Sequence, residues 1–248
     1  AGHLASGMSG VGRMLEPMDV LGHIRIALGK NGKLAGKKII VTAGGTQEAI
    51  DPVRVITNHS SGKQGYALAQ AALDAGAEVT LITTPTALTP PVGAKVINVK
   101  SVQDMLDALL NESADALIMA AAGADFRPVN VAQDKLKKRD GIPQIQLEAA
   151  PDILKTLSSQ SGVAKRFNVT VGFAAESRDL LANASEKLKS KGLDFIAAND
   201  ISANDAGFAV ETNRITLLFA NGTQEILPLM SKSEAAEKII EHVARLLE

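Results

Sequence analysis

Residues 37–63 read KKIIVTAGGTQEAIDPVRVITNHSSGK, and the two ends of this stretch decide the fold. Ile39, Ile40 and Val41 form a short β-branched run, the pattern of a strand buried on both faces. Thr42, Ala43, Gly44, Gly45 and Thr46 follow at once, so the strand must end in a tight turn whose backbone can approach a ligand closely. A connection through Asp51 and Pro52 leads to Asn58, His59, Ser60, Ser61, Gly62 and Lys63, ahead of the apolar run YALAQAALDAGA. Ser60 or Ser61 is the expected N-cap of a helix there, and the exposed N–H groups of a helix start attract anions. Two anion-friendly backbone elements therefore lie close together, with Arg54 and Lys63 beside them.

Working outward, apolar runs alternate with amphipathic segments in the rhythm of a parallel sheet with crossover helices. Strands are expected at EVTLIT (78–83), AKVINVK (94–100), ADALIMAAA (114–122), VTVGFAAES (169–177) and LDFIAAND (193–200), with a short one at QIQLEA (144–149). Helices are expected over 60–76, at SVQDMLDALL (101–110), from Pro151 through Ile153 and Leu154, and over 178–192. The last portion changes character: NRITLLFANGTQEILPLM (213–230) reads as a hairpin around Asn221 and Gly222, and residues 231–248 as an amphipathic helix with a capping box. The expected fold is α/β, a doubly wound Rossmann-like, mostly parallel sheet with an appended hairpin and C-terminal helix. Residues 1–36 are expected to be a leader outside the main sheet and residues 37–248 a nucleotide-binding domain; within the leader, Glu16 and Pro17 open a helix carrying Met18, Val20, Leu21, Ile24 and Leu28.

Composition narrows the function. The formal charge of −1 over 248 residues gives no global pull toward nucleic acid or an anionic membrane, so any positive potential must be local. The absence of cysteine rules out disulfides, thiolate metal sites and a cysteine nucleophile in this sequence, and fits a cytoplasmic location. No apolar run approaches the roughly 20 residues of a membrane span, and no signal sequence is expected ahead of the first strand. With no Trp and one Tyr, a base-stacking surface for single-stranded nucleic acid is not expected.

Ligands of open α/β sheets gather at the carboxyl ends of strands, so residues 42–46, 121–127 and 173–177, with Asn199 and Asp200, are expected to share one cleft. The TAGGT turn alone is ambiguous between a ligand cradle and a turn needed only for strand-to-helix geometry. A complete G-x-G-x-x-G is missing, and Thr83 and Thr84 end the second strand where a ribose-binding acid would stand, which disfavours hydride transfer. Asn58, His59, Ser60, Ser61, Gly62 and Lys63 present many donors and one mobile cation, a set suited to a phosphate or a developing oxyanion, or else to a capped helix with solvated flanks. Lys135, Lys137, Lys138 and Arg139 repel one another unless anions sit among them, or form a solvated basic face. Lys187 and Lys191 share a helix face. No metal site built only from protein ligands is indicated, although Mg2+ carried by phosphates leaves little trace in a sequence.

In order, TAGGTQEAIDPVRVITNHSSGKQG, AAGADFRP with KLKK, VGFAAES, KLKSKGLD and AANDI resemble the bacterial phosphopantothenate cysteine ligase family of coenzyme A biosynthesis, from about residue 37 to the C-terminus. The resemblance implies a CTP-dependent ligase with Mg2+: the carboxylate of 4'-phosphopantothenate attacks the α-phosphate of CTP, and cysteine then displaces CMP from the acyl cytidylate. It implies that Asn58 holds the acyl cytidylate, that Arg54 lies at the substrate, and that Lys135 assists activation. It places Met119, Ala120, Ala121, Asp125, Lys135, Pro151, Phe173, Lys187 and Lys191 at the nucleotide, and Gly44, Gly45, Arg54, Asn58, Ser61 and Lys63 at the acid. It also implies a homodimer whose subunits share a site, with the hairpin near Asn213 helping to build it.

Three departures from the family pattern stand out. Gly123 replaces the usual Val, Ala150 replaces an Asn common before Pro-Asp, and Ser6 replaces a catalytic Cys in ASGMSGVGRMLEP, which resembles the end of the flavin-dependent decarboxylase fused to such ligases. No decarboxylase activity is expected from this chain. The alternative readings are a nicotinamide-dependent reductase and a non-catalytic dimerisation module of a flavoprotein.

Overall fold

The computed structural model describes residues 2–3, 7–10, 14–159, 166–176, 179–200 and 211–248. Ser6, Ser177 and the expected helix start at Arg178 lie outside them. The centre is an eight-stranded sheet made of β1 (Lys38–Ala43), β2 (Glu78–Thr83), β3 (Lys95–Asn98), β4 (Ala116–Met119), β5 (Val169–Glu176), β6 (Phe195–Asp200), β7 (Ile215–Phe219) and β8 (Gln224–Ile226). Their order across the sheet is β8-β7-β6-β5-β4-β1-β2-β3. Strands β2 to β6 run parallel to β1; β7 pairs antiparallel with β6, and β8 antiparallel with β7. The hairpin expected as an appendage thus extends the sheet itself, because β7 pairs with β6 from Phe195↔Phe219 to Asn199↔Ile215.

Near-continuous apolar strands supply both faces. Ile39 and Val41 point into one layer with helices α2 (Lys63–Asp74) and α6 (Lys232–Leu247), while Ile40 points into the other with α3 (Val102–Asn111), α4 (Ile153–Ser159) and α5 (Leu180–Ser190). The same division recurs along β6, where Phe195 and Ala197 face one layer and Ile196 and Ala198 the other. Each side chain of this kind, fully removed from water, contributes about 1.5–3 kcal/mol, so register is strongly specified. Helix α1 (Pro17–Gly29) lies on α2, tied by Arg25 Nε to Asp74 Oδ1 at 2.9 Å.

Several local expectations are corrected. The N-cap of α2 is Gly62, in the left-handed region at φ 77°, with no side-chain cap; Ser61 Oγ reaches Lys63 N only at 3.5 Å. A left-handed cap needs a residue without Cβ more than it needs a hydroxyl. The link through Asp51 and Pro52 is an antiparallel ribbon, Gln47–Ala49 with Val55–Thr57, and the segment within QIQLEA pairs with Phe126–Pro128 outside the main sheet. The capping boxes of α3 and α6 are present, at Ser101 with Asp104 and at Ser231 with Glu234.

Candidate active site

The chain runs outward from β1 to β3, then returns to the other side of β1 to lay down β4 and its successors. Turns leaving β1 and β4 in opposite directions open a crevice between them, the place where open α/β sheets bind ligands. Threonines of the TAGGT turn lace it to the turn after β4: Ala121 N donates to Thr42 Oγ1 at 3.1 Å and Ala124 N to Thr46 Oγ1 at 2.9 Å. Backbone bonds add to this, with Ala122 N donating to Gly44 O at 2.8 Å and Thr46 N to Ala122 O at 3.1 Å. Both turns are therefore held as one rigid floor. Gly44, at φ 85°, has no room for a side chain, because a Cβ there would stand 2.1 Å from Thr84 Oγ1.

Over this floor lies a cavity of about 330 Å³. One wall is the start of α2, with Asn58, Ser60, Ser61, Gly62 and Lys63; the opposite wall is residues 120–123 with Asp125, Phe173 and Lys187; Asn199, Asn213 and Lys232 close the end. Asn58 spans the first two, donating through Nδ2 to Gly123 O at 2.9 Å. Lys187 Nζ donates to Phe173 O at 2.7 Å, which draws the α5 cation to the end of β5. Amide donors and two lysines on facing walls suit a ligand with several anionic oxygens.

Of the residues expected at the site, Asn58, Ser61, Lys63, Ala120, Ala121, Asp125, Phe173 and Lys187 line this cavity. Gly44 and Gly45 are buried beneath it, as the floor. Met119, Pro151, Lys191, Arg54 and Lys135 are not among its lining residues. Lys191 is paired with Asp152. Arg54 is turned to Asp51, a buried carboxylate that also accepts from Val53 N and Arg54 N, both at 2.8 Å, and from Leu136 N at 3.1 Å. Arg54 Nη2 donates in addition to Leu136 O at 2.6 Å. Asp51 and Arg54 thus clamp the loop that carries Lys135.

The Arg54 guanidinium beside it, aided by the three backbone N–H groups, holds the Asp51 carboxyl well below the usual carboxylate range despite its burial. A depressed folded pKa contributes stability above the unfolded carboxylate range and loses it as pH falls through the folded value. The clamp accordingly persists into acid beyond the titration of ordinary carboxylates.

Gln64 and Lys232 are cavity residues that the motifs do not mark, and Asn213, expected near a site shared between subunits, lines this cavity. The departures are structurally mild where they are described: a Cβ on Gly123 would meet only Val102 Cγ2 at 3.7 Å, and Ala150 is held through its backbone, N donating to Asp125 O at 2.9 Å. Among the described residues no group of three His, Cys, Asp or Glu could hold a metal, and no helix is long and apolar enough to cross a membrane.

A model of the DNA/pantothenate metabolism flavoprotein C-terminal domain matches residues 34–247. The chain is 44% identical over 250 residues to the Coenzyme A biosynthesis bifunctional protein CoaBC of Bacillus subtilis (strain 168), covering 99% of this chain and 61% of that protein. It therefore spans about three fifths of the length of such relatives. A crystal structure of the C-terminal domain of a Coenzyme A biosynthesis bifunctional protein CoaBC superposes with a TM-score of 0.72 at 39% identity, covering 87% of this chain and 98% of that one. The DNA/pantothenate metabolism flavoprotein from Streptococcus pneumoniae gives 0.71 at 26% identity, covering 85% and 99%.

Proposed function

Since the chain belongs to the DNA/pantothenate metabolism flavoprotein C-terminal domain family, we propose that it is the ligase of coenzyme A biosynthesis that joins 4'-phosphopantothenate to cysteine at the expense of CTP. The observation that carries this reading is the convergence of Lys63 and Lys187 from facing walls onto one crevice at the sheet's switch point, with Asn58 bridging them.

In the first step a carboxylate oxygen of the acid attacks the α-phosphorus of CTP, the bond to the β-phosphate oxygen breaks, and pyrophosphate leaves with both electrons. In the second the cysteine amine attacks the acyl carbon, CMP departs with the anhydride oxygen, and the nitrogen loses a proton. Charge grows on phosphate oxygens in the first step and on the carbonyl oxygen in the second, so preorganised cations and N–H donors lower both barriers. Lys187 and residues 120–122 are assigned to the nucleotide, Ser61 and Lys63 to the acid, and Asn58 to the acyl cytidylate. Arg54 and Lys135, which do not line this cavity, are assigned to a site shared across a homodimer. Mg2+ would travel with the triphosphate and neutralise its charge; Asp125, the one carboxylate among the described lining residues, suits a cation that keeps most ligands from phosphate and water.

The decisive assay is pyrophosphate release with 4'-phosphopantothenate, cysteine and each nucleoside triphosphate. Release with CTP, matched by CMP and amide, is the expected result. No release with any nucleotide would favour a non-catalytic dimerisation module, and binding to immobilised NADPH without response to CTP a reductase.

The proposed dimer has a surface to match. Val53 and Val55 on the first ribbon and Phe126 and Leu147 on the second are exposed apolar side chains. Phe126 is 58% exposed, so an acidic residue there leaves the fold intact. Phe126→Glu is expected to turn a dimer into a monomer at micromolar concentration in sedimentation velocity; an unchanged sedimentation coefficient would count against this interface.

A further inference from the structure

Thr83 and Thr84 stand at the end of β2, where a ribose-binding acid would be expected in a dinucleotide fold, and the structure gives them another task. They end a chain of hydroxyls that links the loop after β2 to the first turn of α2. Leu88 N donates to Thr86 Oγ1 at 3.3 Å, Thr86 Oγ1 to the Tyr66 hydroxyl at 3.1 Å, that hydroxyl to Thr83 Oγ1 at 3.3 Å, and Thr83 Oγ1 to Thr84 O at 3.0 Å. A backbone N–H can only donate and a carbonyl can only accept, so the two ends fix one direction, and each hydroxyl gives one bond and takes one. Tyr66, the single tyrosine of the sequence, is 9% exposed. Two bonds to its hydroxyl hold the β-branched Thr86 side chain in one rotamer.

In that rotamer the Thr86 methyl faces both left-handed glycines of the site. A Cβ added to Gly62 would stand 2.9 Å from Thr86 Cγ2, and one added to Gly44 would stand 3.2 Å from it. The glycines also meet each other, since the same Cβ on Gly62 would lie 3.5 Å from Gly44 N. Gly44 carries the nucleotide wall, its carbonyl accepting Ala122 N at 2.8 Å, while Gly62 caps α2 and its carbonyl accepts Tyr66 N at 3.0 Å. One methyl group therefore sits against the joint between the two walls of the cavity, although Thr86 is not among the lining residues.

We infer that Thr86 is a positioning residue whose methyl spaces the α2 wall from the nucleotide wall, with the hydroxyl chain holding that methyl in place. This rests on the ligase reading and deepens it. With the acid assigned to one wall and the nucleotide to the other, the affinity of each depends on its own wall, whereas attack of the carboxylate on the α-phosphorus depends on their separation. Reacting atoms must come within roughly 3–3.5 Å, and a misplacement of about 1 Å can cost about 100-fold in rate. The spacer accordingly acts on the activation step and leaves binding alone.

Two variants of the full chain separate the methyl from the hydroxyl. Thr86→Ser keeps the hydroxyl chain and removes the methyl; it is expected to slow single-turnover formation of the acyl cytidylate about tenfold or more, while calorimetric Kd values for CTP and for 4'-phosphopantothenate change less than about threefold. Thr86→Val keeps the methyl and should hold the rate within about threefold of wild type, even though the lost hydrogen bonding lowers its melting temperature by about 2–4 °C. Slowing of both variants in step with their melting temperatures would mark a merely structural role and overturn the inference, as would a wild-type rate in Thr86→Ser or ligand affinities that fall as far as the rate. Amide hydrogen exchange reads the spacer without the reaction: the Ala122 and Tyr66 N–H groups, bonded to Gly44 and Gly62, should exchange about tenfold faster in Thr86→Ser and no faster in Thr86→Val. If wild type forms no acyl cytidylate while this exchange pattern holds, the ligase reading falls and the spacer stands; unaltered exchange in Thr86→Ser overturns the spacer whatever the activity.

Discussion

Gly44→Ala is expected to lower the melting temperature by about 10 °C and to remove nucleotide-dependent turnover. The backbone at Gly44 sits at φ 85°, where an L side chain costs roughly 1–2 kcal/mol. Its added Cβ would lie 2.1 Å from Thr84 Oγ1 and 3.2 Å from Thr86 Cγ2, an overpacking worth about 1–3 kcal/mol. In a domain of this size each kcal/mol moves the midpoint by about 2–4 °C. Gly36 provides the control: its φ is 75° but nothing lies within 4 Å, so Gly36→Ala should show the backbone cost alone. The double variant Gly44→Ala, Thr84→Ala should recover part of the loss by removing the clashing hydroxyl. Turnover suffers because Gly44 O receives Ala122 N, so a displaced glycine shifts the nucleotide wall with it. A Gly44→Ala protein melting within about 2 °C of wild type would show that the turn is not the rigid floor described above.

The strands of the central sheet were legible because a parallel strand covered on both faces has to be apolar nearly throughout, and Ile39, Ile40 and Val41 are. Strand order was not: nothing local says that β4 returns to the far side of β1, although that return creates the crevice. Ser60 and Ser61 drew the cap prediction because hydroxyls are the commoner caps, while the actual cap, Gly62, depends on a backbone angle that composition does not reveal. Residues contributing through their own strand end or helix start, such as Asn58 and Phe173, could be named from the motifs. Lys232 could not, since its neighbourhood reads only as a capping box and its burial comes from the packing of α6 on α2. Arg54 and Lys135 illustrate the opposite case: the motifs marked them as site residues, and the fold joins their segments through Asp51 and Leu136 without placing either among the cavity's lining residues.

Asn58→Asp should reduce amide formation by about 100-fold or more while nucleotide affinity changes by less than about threefold. The side chain is exposed, and its Nδ2 donates to Gly123 O at 2.9 Å with Ala122 O at 3.4 Å, so it ties the start of α2 to the nucleotide wall. An aspartate of the same shape turns that donor into an acceptor facing two carbonyl oxygens, and it adds negative charge to a cavity assigned to phosphates and a developing oxyanion. Losing one exposed hydrogen bond costs only about 1 kcal/mol of stability, which leaves folding intact and directs the effect to the reaction. Removing a donor aimed at developing charge typically costs about 100- to 1,000-fold in turnover. Asn58→Ala separates the two causes: it lacks the donor but adds no charge, so a large loss in both variants assigns the effect to the missing N–H, whereas a loss confined to aspartate assigns it to repulsion. Single-turnover formation of the acyl cytidylate, followed apart from its reaction with cysteine, locates the affected step. If Asn58→Asp turns over at the wild-type rate, Asn58 is a strut between two loops and the role given to it here is wrong.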